Sequence, residues 1–346
     1  MYVEHLKEAS KNNAAINGSY IISKLEVKTF KAKSGFFLQC DLTDKTGSVK
    51  GIVWDRADIL QKCLKNKAVF RITGEATRYN DVPQIVIKTA VKEDAYNPAD
   101  FMPSLKQDLW EQHIEYLRKT SEGIKDRTCR YIWDTLTNPD ESKHPEYLKK
   151  FSTCPGGVGE VIHHSYIGGL LEHTASMVRL GEHLCLSRPE LDRDMLLTGC
   201  LIHDIGKILT YNWATVIEMT DQGRLLHHTT LGVRILDIIL ASDDLTKLHL
   251  AHIIVSHHQE EGVRKPMTLE AEAVAQIDSL DAATKGIQQY TEEPSNRQEE
   301  GNWTRYCSLT SRQYYLGERP VTESPVESKQ DSGRKLAPGI IEESLF

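Results

Sequence analysis

Residues 192–208 read DRDMLLTGCLIHDIGKI, and this stretch decides the fold. Met195, Leu196, Gly199, Ile202 and Gly206 recur at helical spacing, so the stretch predicts a buried helix. His203 and Asp204 stand side by side near its end. On a helix such neighbours lie about 100° apart, so both can face one pocket where the helix meets another. Imidazole nitrogens and carboxylate oxygens are the ligands that hold Mn, Fe, Zn or Mg at a hydrolytic site. The two oxygens of one aspartate can bridge two ions. A lone His-Asp pair often arises by chance, so its surroundings must carry the case.

Of the 14 histidines, 11 fall between His163 and His258. The ordered series is His173, His203-Asp204, His228, His257-His258 and Asp278. Leu105 to Lys285 reads as helical throughout, with breaks at Pro155-Gly156-Gly157 and at Thr220-Asp221-Gln222-Gly223. His257 and His258 are adjacent and can reach one ion. Gly168-Gly169, one turn before His173, would let helices approach closely. His252 precedes His257 by five residues, about 140° round a helix and ~7.5 Å along it. That offset suits orienting a ligand or meeting a substrate phosphate better than direct ligation. His183 and His249 read as surface or packing residues.

Toward the N-terminus the pattern changes to strands. Tyr20–Ile22, Phe36–Cys40, Val49–Trp54, Val69–Thr73 and Gln84–Ile87 are rich in β-branched and aromatic residues, with turn residues between them. A helix around Ala57 to Leu64 precedes the fourth strand. Five short strands with a helix before the fourth is the layout of an OB-fold barrel, although a small sandwich also fits the count. Residues 1–98 carry 16 Lys+Arg against 11 Asp+Glu on a chain of net charge −7, so a basic domain sits on an acidic protein. An anionic ligand is one explanation and a Lys-rich solvated surface another. Barrels of this kind bind single strands by stacking bases on aromatics in a basic groove. Lys31, Lys33, Tyr79 and one of Phe36 and Phe37 are the candidates. The two phenylalanines face opposite ways on a strand, so one is core and the other a platform. Trp54 and Phe70 read as core.

The bulk numbers agree with this division. At 346 residues, 40% hydrophobic and 26% charged, the chain suits two globular domains and a tail. The expected fold is multidomain α+β, an all-β OB-fold barrel followed by an all-α domain. Its expected parts are a barrel at 1–95, a linker and lead-in helix at 96–120, the helical domain at 121–317 and a disordered tail at 318–346. No apolar run of 18 residues predicts a membrane span, and the polar N-terminus does not read as a secretory signal. The seven cysteines are scattered without a CxxC pair, which points to reduced thiols in a cytoplasmic protein.

His173, His203-Asp204 and Asp278 together resemble the HD-domain superfamily of metal-dependent phosphohydrolases. His203-Asp204-Ile205-Gly206-Lys207 has the HDxGK form of its central motif, and His228 and His257-His258 resemble the subgroup with two metals. With the barrel, the chain resembles the YhaM-type 3′→5′ exoribonucleases of bacteria, which join an OB-fold to an HD domain. The matching stretches are 163–174, 203–207, 223–228, 257–258 and 277–282, and the likeness runs to about Leu316. It implies one ion on His173, His203, Asp204 and Asp278, and a second on Asp204, His228, His257 and His258. Manganese is the implied activator, with Mg, Fe, Co or Zn as other divalent ions. Lys207 is implied beside the scissile phosphate, and His164 and His252 join Asp204 and Lys207 as catalytic candidates. Asp281 is expected to cap or pack rather than ligate. The implied substrate is single-stranded RNA or single-stranded DNA, the implied product nucleoside 5′-monophosphates, and a homo-oligomer enclosing the sites is plausible. Two other readings stand beside it. One is a phosphodiesterase or phosphatase for a small nucleotide. The other is a non-enzymatic nucleic-acid-binding protein, against which the complete ligand set argues.

Overall fold

The computed structural model describes residues 2–30, 34–80, 82–158, 164–241, 244–258, 264–308 and 310–317. The tail expected at 318–346 lies outside them, as do Lys31 and Lys33. Met1–Glu292 form one unit and Glu293–Phe346 another.

The larger unit begins with the barrel. Its strands are β1 (Ala15–Thr29), β2 (Phe36–Asp44), β3 (Gly47–Val53), β4 (Ala68–Tyr79) and β5 (Val82–Lys92), with helix α2 (Ala57–Cys63) before β4. They close in the order β1-β2-β3-β5-β4, with β4 returning to β1. The β3–β5 pair alone is parallel, through Lys50–Gln84 to Ile52–Val86. Closure in this order is the OB arrangement and excludes a sandwich. Tyr20, Ile22, Leu38, Leu42, Phe70, Ile72 and Ile85 fill the interior. An additional helix, α1 (Val3–Ala9), plugs one end with Val3 and Leu6. The Asp44 carboxylate fixes it, accepting from the Val3 N–H at 2.7 Å. A seven-residue helix that buries two side chains leaves little periodicity to read.

The helical part comprises α3 (Gln107–Glu122), α4 (Arg127–Thr137), α5 (Pro145–Thr153), α6 (Gly169–Ser187), α7 (Arg193–Ile202), α8 (Lys207–Thr210), α9 (Asp221–Ile239), α10 (Leu245–Ser256) and α11 (Leu269–Glu292). Every residue of α7 from Met195 to Ile202 is buried, because α4, α6, α10 and α11 all pack on it. The Asp192 side chain starts α7 by accepting from the Met195 N–H at 3.0 Å. Trp133 on α4 reaches α7 through an Nε1–H donated to Thr198 Oγ1 at 3.0 Å, both groups buried.

One expectation is corrected. The stretch from Leu105 to Lys285 is not wholly helical: β6 (Tyr211–Asn212) and β7 (Glu218–Met219) form a small hairpin after α8. Two-residue strands are too short to set a period of two. The segment between the barrel and α3 packs on the barrel. Phe101 is buried with Ile21 and Val69 of the barrel, edge-on to Tyr96 at 5.7 Å, and Ser104 bridges Ile167. The hairpin also meets the barrel. Lys67 pairs with Glu218, and Thr215 Oγ1 donates to the Lys67 carbonyl at 2.9 Å.

In the smaller unit, a 3₁₀ turn at Pro294–Asn296 is followed by bridges Arg297–Thr304, Trp303–Tyr315 and Cys307–Arg312. No described helix is long and apolar enough to cross a membrane.

Candidate metal centre

The ends of several helices converge here. His203 and Asp204 lie in the turn just past α7 rather than within it, and His203 keeps helical dihedrals. His173 comes from α6, His228 from α9, His257 and His258 from the end of α10, and Asp278 from α11. Gly169 explains how α6 fits: a Cβ there would lie 2.0 Å from the His164 carbonyl oxygen. The close approach that Gly168-Gly169 foretold is therefore to the backbone of the preceding loop.

Asp204 divides the cluster. Its Oδ2 lies 3.7 Å from His173 Nε2 and 3.5 Å from His203 Nε2. Its Oδ1 lies 3.3 Å from His228 Nε2 and 3.7 Å from His257 Nε2. Asp278 Oδ1 completes the first side at 3.3 Å from His173 Nε2, and His258 Nε2 completes the second at 2.9 Å from His228 Nε2. All seven residues that the sequence placed in the two ligand sets are thus brought together.

The far sides of the rings are tied. His203 Nδ1–H donates to the Cys200 carbonyl at 3.1 Å, and His257 Nδ1–H to the Ile254 carbonyl at 2.9 Å. A carbonyl only accepts, so each Nδ1 carries the proton and each Nε2 keeps a lone pair aimed inward. Lone pairs that converge in this way suit a cation between them. Asp204 Oδ1 is a second sign, since it is buried with no hydrogen-bond partner. A buried carboxylate oxygen is costly to leave unpaired. The donor set therefore fits divalent metal on both sides of Asp204.

Protonation favours ligation on the second side. Burial pushes His257 down to about 3, places His228 well below its ordinary value and lowers His258, so all three stay neutral. On the first side, burial works against the His173 imidazolium, but the Asp278 and Asp281 carboxylates outweigh it and hold the pKa at about 9. Cation binding at His173 must then release a proton. Burial likewise opposes the Lys207 ammonium, and the Asp204 carboxylate at 2.6 Å holds it charged. That ammonium also donates to the Gly156 carbonyl at 2.6 Å. Lys207 is thus buried against Asp204, inside the centre.

Asp281 is more than a cap or a packing residue. It accepts from His173 Nδ1 at 2.7 Å, lies 3.2 Å from His164 Nε2 and takes the Ser176 hydroxyl on its other oxygen. Its spacing of three from Asp278 on α11 was the available signal. His164 stands behind His173 against Asp281 and the Tyr166 hydroxyl, so it positions and does not face the ligand nitrogens. Asp281→Asn should weaken metal affinity about 10- to 100-fold, as loss of a ligand's hydrogen-bond partner does. A metal titration giving the wild-type affinity would remove Asp281 from the centre.

His252 is also corrected. Its Nε2 accepts from the Met267 N–H at 2.9 Å, and Arg264 and His249 are its neighbours. It belongs to none of the described groups of converging ligand atoms. His227, by contrast, was unread. It has φ 63° and ψ 154° inside α9, a conformation costing about 1–3 kcal/mol outside glycine.

On the barrel, Phe36 packs on the interior while Phe37 stacks outside, with ring centroids 4.7 Å from Trp54 and 5.3 Å from Phe30. Trp54 is 42% exposed, not core as expected. The interior is already filled by Tyr20 and Phe70. Tyr79 stands 67% exposed at the end of β4. Lys24 and Lys50 are both paired with Asp41.

Among solved structures, the chain is similar to the second OB-fold domain of replication protein A from Methanococcus maripaludis, at 16% identity over 25% of this chain and 87% of that one, with a TM-score of 0.19. Along the chain, similarity is to the 3′-5′ exoribonuclease YhaM of a Geobacillus species, 28% identical over 320 residues, which are 88% of this chain and 92% of the relative. Residues 170–283, which hold every ligand candidate, match the model of the HD domain, so this chain carries an HD domain behind an OB-type barrel and is similar to the YhaM exoribonuclease.

Proposed function

We propose that the chain is a metal-dependent exonuclease that shortens single-stranded RNA from its 3′ end to nucleoside 5′-monophosphates, with single-stranded DNA as a second substrate. The observation that carries this reading is the division of Asp204, one buried carboxylate turned to two sets of imidazole nitrogens. Two divalent cations suit it, manganese foremost. His173, His203, Asp204 and Asp278 would hold one, and Asp204, His228, His257 and His258 the other. Bound there, such ions lower the pKa of water and neutralise charge on phosphoryl oxygens.

The chain's own groups do the rest. Asp281 and two backbone carbonyls fix the ring orientations. Lys207 adds a fixed positive charge beside Asp204. The outer rings of Phe37, Trp54 and Tyr79 offer faces for bases to stack on, whatever the sequence. A mononucleotide needs no such platform, which favours a polymer. The test is incubation of the full chain with Mn and 5′-labelled single-stranded RNA, beside a chelated sample. A ladder shortening from the 3′ end in the Mn sample alone is expected. Intact RNA, with Mn shown to be bound, would sink the proposal in favour of a small-nucleotide phosphodiesterase.

A further inference from the structure

His227 is the residue of α9 that leaves helical dihedrals, at φ 63° and ψ 154°. That region is close to glycine-only, yet the position holds a histidine. In a regular helix His227 and His228 would diverge by about 100°. Here the break lets both rings attend the same centre, with centroids 4.1 Å apart. His228 is buried, whereas His227 is exposed. The His227 ring is 5.8 Å from that of His258, and one nitrogen from each of His227, His228 and His258 lies within 4.8 Å of the others.

This edge of the centre has a distinct chemistry. The trio itself contains imidazoles and no carboxylate; Asp278 converges with His258 on its inner side, and Asp204 Oδ1 lies 3.3 Å from His228 Nε2. His227 alone of the trio lies outside the two ligand sets and is exposed, so its ring can offer an N–H to an incoming phosphate oxygen. His227 Nδ1 lies 3.2 Å from Thr229 Oγ1, a hydroxyl able to donate or accept, which steadies the exposed ring. We infer that His227 binds the phosphodiester of the substrate, donating a hydrogen bond from its ring to a non-bridging oxygen of the group being cleaved. The inference rests on the phosphodiesterase reading above and adds a substrate contact to it. The strained backbone then has a use: it sets this ring at the mouth while keeping His228 inside.

The test compares wild type with His227→Gly and His227→Asn, in the full chain loaded with Mn. Glycine relaxes the backbone. The His227→Gly protein should therefore melt at the wild-type temperature or above it and keep its Mn content. Its affinity for adenosine 5′-monophosphate should fall about tenfold, and kcat/KM on single-stranded RNA about 10²-fold. His227→Asn, which keeps an N–H donor and bears the same backbone strain as histidine, should recover part of both losses. Three results would overturn the inference: kcat/KM within threefold of wild type, Mn content falling in step with activity, or a lowered melting temperature in His227→Gly. Were wild type itself inactive on RNA, the exonuclease reading would fail, and the monophosphate affinities would still decide the role of His227.

Discussion

Asp204→Asn should reduce turnover of single-stranded RNA by at least about 10³-fold. Asparagine keeps the volume but replaces one oxygen with an amide NH₂, which cannot ligate a cation. Since Oδ1 and Oδ2 serve different histidine sets, one half of the centre loses its shared ligand whichever way the amide turns. The second consequence falls on Lys207, whose ammonium is buried with Asp204 as its counter-charge. Breaking a buried pair from one side costs about 3–5 kcal/mol. Single-turnover kinetics and denaturant unfolding should therefore both respond. Activity within tenfold of wild type would show that Asp204 does not bridge the two halves.

The other large effect concerns a residue with no side chain. At Gly206 an added Cβ would lie 1.9 Å from the His228 carbonyl oxygen and 2.5 Å from the Gly232 nitrogen. Both obstacles are backbone, so no side chain can rotate away. Gly206→Ala must push α9 from α8 and carry His228 with it. Overpacking of this kind costs about 1–3 kcal/mol, and this backbone clash belongs at the upper end. A fall of about 5–10 °C in melting temperature follows for a unit of this size. Elemental analysis should also find less metal per chain than in wild type. An unchanged melting temperature would mean that α9 yields freely. The glycine of the HDxGK motif is thus explained by the approach of α9, independently of the metal.

The converging histidine and aspartate side chains were legible because clustering of histidine is informative, and because separated elements each supplied one or two of them. The five strands were legible from β-branched and aromatic runs between turns. What escaped depended on tertiary direction. Asp281 could be given a role only once the His173 Nδ1 was known to face it. His252 sits one residue off the face that reaches the ions, and a backbone N–H from Met267 claims its nitrogen. His227 owes its place to a dihedral that no spacing encodes. A tryptophan on a strand reads as core, yet the rings of Trp54, Phe30 and Phe37 shield one another at the surface.

The hairpin of β6 and β7 joins the two chemistries of the molecule. It runs directly from α8, which begins with Lys207, and it touches the barrel at Lys67. Phe101 seals a second joint against Ile21 and Val69. For a strand gripped by the barrel, these joints turn each new encounter with the metal centre into an intramolecular event. Its rate is then set by a local effective concentration, which short tethers raise to the millimolar range. Under the proposed function, successive cuts on one strand would become independent of how dilute that strand is, and processivity would follow from the joint without any added affinity at the metal centre.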